Sequence, residues 1–125
     1  ALDNRNSNRN LTGLTMSLDV TLTKAGEGQR EEMFSANVTH NLNEMATAAG
    51  LYQAIWRPEE VGITYAKDLI APLTEGIGKL KAYPEHFKTF EPPNGWGKYR
   101  YFVPWLDQYL AACKRNPDAC IEACR

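Results

Sequence analysis

From Asn37 to Glu44 the chain reads Asn-Val-Thr-His-Asn-Leu-Asn-Glu, which sets three amides, a hydroxyl, an imidazole and a carboxylate within a short stretch. An imidazole titrates near neutral pH and suits proton transfer. His40 paired with Glu44 or with Glu59 would therefore serve a small hydrolase- or transferase-like enzyme. No Ser or Cys nucleophile stands beside His40 in the sequence. A half-buried histidine bonded to backbone or to an asparagine is the plainer account of it. Asn37, Thr39 and Asn41 offer a different chemistry, reversible hydrogen bonding to a polar ligand. Asn41 followed by Glu44 also has the pattern of a capping box. Asn41 and Asn43 would then lie at a helix N-terminus, where free N–H groups favour anions, although the glycines of a phosphate loop are missing. Asn37-x-Thr39 is also a glycosylation sequon, which has no consequence in a cytoplasmic protein.

Two further stretches carry candidate groups. Trp56-Arg57-Pro58-Glu59-Glu60 reads as a helix terminator whose Trp covers the core edge, or as the rim of a site with an aromatic plate, a guanidinium and carboxylates. Adjacent residues diverge on helix or strand, so Glu59 and Glu60 make a poor cooperating pair. The stretch 91–102, EPPNGWGKYRYF, puts Trp96, Tyr99 and Tyr101 beside Lys98 and Arg100. Trp96, Tyr99 and Arg100 could stack and neutralise single-stranded nucleic acid, but no second basic segment supports them. These stretches share Asn, Trp and Gly at element junctions. If the fold brings them together, Asn37, Thr39, His40, Asn41, Trp56, Arg57, Glu59, Asn94 and Trp96 line one pocket with His40 near its floor.

Composition narrows the classes. The 125 residues suit a single domain, and 14 basic against 15 acidic residues leave a net charge of -1. A domain built to grip a nucleic-acid backbone would show a basic excess, so nucleic acid is a poor candidate partner. No apolar run approaches the roughly 18 residues of a membrane span. Cys113, Cys120 and Cys124 are odd in number, which favours a reducing cytoplasm over a secreted disulfide framework. The spacing C-x6-C-x3-C is not a zinc spacing, and neither a metal nor a cofactor is expected. A disulfide between Cys113 and Cys120 would need their Cα atoms within about 7 Å.

The elements that must position these groups follow from periodicity. Residues 1–15 form a polar arm with Asn at 4, 6, 8 and 10, and Met16 looks like a natural start of the 16–125 domain. Leu18, Val20 and Leu22 alternate with Asp19, Thr21 and Thr23, which predicts a half-buried strand. Phe34, Ala36 and Val38 predict a second, with 24–31 as the hairpin loop and His40 on the inward parity. Asn37 and Thr39 then face the uncovered side. Leu42, Met45, Ala46 and Ala49 predict a helix capped by Asn41 and ended or weakened by Gly50, and 51–56 adds a turn or two. Thr64 is placed to cap a helix carrying Leu69, Ile70, Leu73, Ile77 and Leu80, which Pro72 should kink or divide. Pro84 opens a short helix ending near Phe90. Asn94 is a candidate cap for the last helix, 98–114, where Pro104 is awkward unless it lies in the first turn or marks a bend. Residues 119–124 predict a third strand with Ile121 and Ala123 opposite Cys120 and Glu122. The sum is an α+β fold, a small mainly antiparallel sheet of two N-terminal strands and one C-terminal strand with three to five helices on one face.

The segments SANVTHNLNEMATAAGLYQAIWRPEE, PEHFKTFEPPNGWGKY and YLAACKRNPDA resemble a family of small uncharacterised bacterial and phage or prophage proteins over 16–125. The likeness rests on Asn37, Thr39, His40 and Asn41, on Trp56, Pro58 and Glu59, and on the Asn-Gly-Trp-Gly of 94–97. Pro104, Cys120 and Cys124 depart from the pattern. The resemblance implies an accessory protein of a phage or mobile element and brings no known activity. Together with the residues it gives the expectation of a non-catalytic protein that binds a protein partner, a second copy of itself, or a small polar ligand.

Overall fold

The computed structural model describes residues 17–125, and the polar arm over 1–15 and Met16 lie outside the described residues. Strand β1 (Ser17–Ala25) pairs antiparallel with β2 (Arg30–Thr39), Leu18 facing Val38 and Val20 facing Ala36. The expected loop over 24–31 is shorter, only 26–29, because Lys24 and Ala25 go on pairing with Glu31 and Arg30. Strand β3 (Cys120–Cys124) runs antiparallel along the other edge of β1, giving the order β2-β1-β3. Leu18, Val20 and Leu22 are fully buried beneath the helices. Ile121 and Ala123 pair with Leu22 and Val20 and pack against the same core, leaving Cys120 and Glu122 on the opposite face as alternation requires.

The register shifts between Leu22 and Thr23, so Met33 has no partner residue on β1. The extra residue places Glu32 opposite Thr23 on the polar face and carries Glu31, paired with Lys24, to the side of Leu22 at the exposed end of the hairpin.

Helices supply the roof. A 3-10 turn (His40–Leu42) leads into α1 (Asn43–Ala48), then α2 (Tyr52–Trp56), a second 3-10 turn (Pro58–Val61), α3 (Ala66–Ala82), α4 (Pro84–Lys88) and α5 (Tyr99–Arg115). The fold is α+β, with α3 and α5 packed together and Tyr109 of α5 stacked on Phe34 of β2 at 5.9 Å between ring centroids. Pro72 does not divide α3, which stays continuous over 17 residues. Its missing hydrogen bond and ring clash cost about 3 kcal/mol. Leu69, Leu73 and Leu80 are wholly buried on the same helix, at about 1.5–3 kcal/mol each, and outweigh it. Pro104 lies beyond the first turn of α5 and likewise leaves the helix whole.

Thr64 is not the cap of α3. Its carbonyl accepts the Ile121 N–H at 2.9 Å, tying the loop to the edge of β3. The Asp68 carboxylate instead accepts the Tyr65 N–H at 3.1 Å, so the helix starts at Ala66. Among the described residues no helix is long and apolar enough to cross a membrane.

Candidate functional site

The 94–97 turn is built to hold one aromatic ring outside the core. Asn94 Oδ1 accepts the Trp96 N–H at 2.9 Å, closing an Asx turn. Gly95 and Gly97 both adopt positive φ, at +83° and +93°, where other residues are strained. Gly97 also lies against the backbone of Asn41, which a Cβ would meet at 3.2 Å. The result is Trp96 with 68% of its surface exposed, held by its own turn near the end of β2. Asn94 therefore caps the turn and not α5. The first N–H of α5, on Tyr99, is accepted by Glu91 at 2.8 Å, a partner that lies eight residues upstream and was not legible as a cap.

At the end of β2, Thr39 caps the 3-10 turn of His40–Leu42, and α1, the helix Asn41 was expected to cap, starts after Leu42 with no side-chain cap bond. Thr39 Oγ1 accepts the Asn41 N–H at 3.2 Å and the Asn41 side-chain amide at 3.1 Å. Thr39 precedes the first turn with an extended backbone, the geometry a cap needs, while Asn41 is already inside that turn. Asn37 is on the polar sheet face opposite Asp19, as its parity requires, and gives its amide hydrogens to Ser17 Oγ at 2.8 Å and Asp19 Oδ1 at 2.7 Å.

These two places meet. A cleft of about 520 Å³ lies between Ser17, Asn37, Thr39, Asn41, Asn94 and Trp96. A neighbouring lobe of about 390 Å³ shares Asn37, Thr39 and Trp96 and extends over Leu42, Lys98, Tyr101 and Trp105. Both fall in the size range of small-molecule sites. Trp105 was missed at the level of sequence, and Tyr101 was read there only as aromatic surface beside Lys98 and Arg100. They are four apart on α5, one step around the helix from the buried Phe102 and Leu106, and that spacing is the signal that could have found them.

The other sequence candidates form a separate cluster. Trp56 is only 2% exposed and donates its Nε1–H to His40 Nδ1 at 2.9 Å. Tyr52 stacks on Trp56 at 5.6 Å. Arg57 donates to Tyr52 Oη at 3.1 Å and to Glu60 at 3.0 Å. Glu59 receives Arg125 at 2.9 Å, and the same guanidinium nitrogen reaches the Trp56 carbonyl at 2.8 Å. Glu59 and Glu60 thus diverge to different arginines. The bond from Trp56 fixes His40 with Nδ1 as acceptor, and burial lowers its pKa from the ordinary histidine value. The Glu59 carboxyl is held below its ordinary value by its own backbone N–H and by Arg125. His40, Trp56, Arg57 and Glu59 are not among the described residues lining the cleft, so His40 is not its floor.

Of the groups read as a nucleic-acid platform, Trp96 and Tyr101 are exposed, but Tyr99 turns inward and donates its hydroxyl to the Leu80 carbonyl at 2.7 Å. Arg100 lies over the Tyr101 ring at 5.0 Å, and Lys98 is 3.8 Å from Glu91. No disulfide joins Cys113, Cys120 and Cys124, and burial pushes the Cys113 thiol up to about 12. No family model, curated protein or solved structure matches the chain.

Proposed function

We propose that this is a non-catalytic binding protein whose ligand lies in the cleft between the end of β2 and the 94–97 turn. One observation carries the reading: an exposed Trp96 is held by a turn with two positive-φ glycines beside side-chain amides already oriented by their own hydrogen bonds. Such a site is organised before anything binds, which lowers the ordering cost of binding. The alternative of a His40 enzyme is weakened because His40 Nδ1 is engaged by a buried indole, and the groups that reach Glu59 are arginine and its own backbone. That it is a cytoplasmic accessory protein of a mobile element belongs to the same proposal and rests on the sequence resemblance and the odd cysteine count alone.

A thermal-shift screen of the full chain against metabolites, nucleotides and metal salts tests this. The expected result is at least one stabilising compound whose shift disappears in Trp96→Ala and survives in His40→Gln. Hits that persist in Trp96→Ala, or a substrate turned over by the wild type and not by His40→Gln, would overturn it.

A further inference from the structure

We infer that the cleft beside Trp96 takes the ring of a neutral sugar; this deepens the reading of the cleft as a ligand site and rests on it. Charge is the first ground. The lobe between Ser17, Asn41 and Asn94 has no ionisable side chain among its described lining residues. A phosphate or carboxylate placed there would lose water and meet no cation, and an ammonium group would meet no carboxylate in that lining. The polar pattern is the second ground. Asn37 spends both amide hydrogens on Ser17 and Asp19, and Asn41 directs its amide nitrogen to Thr39. Asn94 spends its carbonyl oxygen on the Trp96 N–H. The cleft is thereby left with carbonyl oxygens from Asn37 and Asn41 as acceptors, and with the Asn94 amide, the second amide hydrogen of Asn41 and the Ser17 and Thr39 hydroxyls as donors. A hydroxyl both donates and accepts, so neighbouring hydroxyls on a ring answer both kinds of group, whereas an anionic oxygen answers only the donors.

The third ground is Trp96 itself. A pyranose carries its hydroxyls on the rim and presents a patch of C–H bonds, slightly positive, on a face. That patch is complementary to the negative face of an indole, and burying it removes apolar surface from water. A nucleobase would also stack on Trp96, but its phosphates would need cations at the rim. Lys98, in the neighbouring lobe, is already paired with Glu91.

Saturation-transfer and amide-correlation NMR on the full chain tests the assignment. The probes are glucose, galactose, mannose, N-acetylglucosamine and their β-1,4-linked disaccharides, with oligothymidine and a proline-rich peptide as contrasts. The expected result is saturable binding of at least one sugar that moves the Trp96 indole N–H signal and does not weaken with added salt. Affinity should fall about tenfold or more in Trp96→Ala and stay within about threefold in Trp96→Tyr, since loss of the stack alone exceeds about 1.4 kcal/mol. Trp96 is mostly exposed, so both variants should fold. If no sugar moves that signal while oligothymidine or the peptide does, the sugar assignment falls and the binding site stands. If none of these probes moves it, the reading of this cleft as a ligand site falls with it.

Discussion

At the scale of single residues, the bond between Trp56 and His40 makes a prediction in which the sign is fixed. Burial lowers the folded-state pKa of His40 below the ordinary value of 6.5. Below that value the unfolded chain takes up a proton that the folded chain refuses, so the contribution to stability is full above about pH 6.5 and is lost as pH falls through the folded pKa. The protein's urea midpoint should therefore decline from pH 7 towards pH 5. His40→Gln keeps a carbonyl that can accept from Trp56 and cannot titrate, and it should flatten that decline. An equal slope in both proteins would refute the assignment. His40→Ala leaves a buried indole N–H without its acceptor and should cost about 1–3 kcal/mol at pH 7. Tyr109 makes the opposite case. It is fully buried, and its hydroxyl has no partner among the described residues, so Tyr109→Phe should be neutral or stabilise by up to about 1 kcal/mol. A loss above about 1 kcal/mol would mean that the hydroxyl has a partner after all.

Elements were legible where a periodicity was long and a single face was buried. The alternation of Leu18, Val20 and Leu22 and the spacing of Leu69, Leu73, Ile77 and Leu80 each mark a buried face, and both stood in the structure. Caps were misread: Asp68 serves the end expected of Thr64 and Glu91 the end expected of Asn94, while Thr39 caps a 3-10 turn ahead of α1, whose own start has no side-chain cap. A cap is one hydrogen bond, and the sequence around it offers several equivalent oxygens. The site was half legible for a related reason. Parity and turn chemistry locate Asn37 and Trp96, but the inward parity of His40 does not say which neighbour it meets, and Trp56 claims it. Helix α3 carries a contact that no pattern discloses. A methyl on Gly76 would run into the side chain of Leu51, which is wholly buried, while a methyl on Gly78, two residues on, meets nothing within 4 Å. Gly78→Ala should stabilise by about 0.5–1 kcal/mol through helix propensity. Gly76→Ala gains the same propensity and loses about 1–3 kcal/mol to overpacking, so it should come out destabilising. Denaturation midpoints of the pair, measured side by side, check both signs, and a stabilised Gly76→Ala would mean that α3 does not lie against Leu51.

Across the whole molecule, the end of β2 is where two systems part. Thr39 and Asn41 face the cleft, and His40 between them reaches into the cluster of Trp56, Tyr52, Arg57, Glu59 and Arg125. A strand running into a tight turn allows this, because successive side chains leave the backbone in opposing directions. The cluster ties α2 to the last residue of the chain through Arg125, and so fastens β3 and the helical roof together. The cleft depends on the 94–97 turn and on α5. If the division is real, the two systems share a backbone and little else. Trp96→Ala should then change stability by less than about 0.5 kcal/mol, as for an exposed side chain, while His40→Ala carries the loss given above. Their double variant should be additive within about 0.5 kcal/mol, because Trp56, which donates to His40, and Asn94, which holds the Trp96 turn, belong to different clusters among the described residues. A coupling above about 1 kcal/mol would show that the turn at His40 transmits strain from the roof to the cleft, and that occupancy of one would be felt by the other.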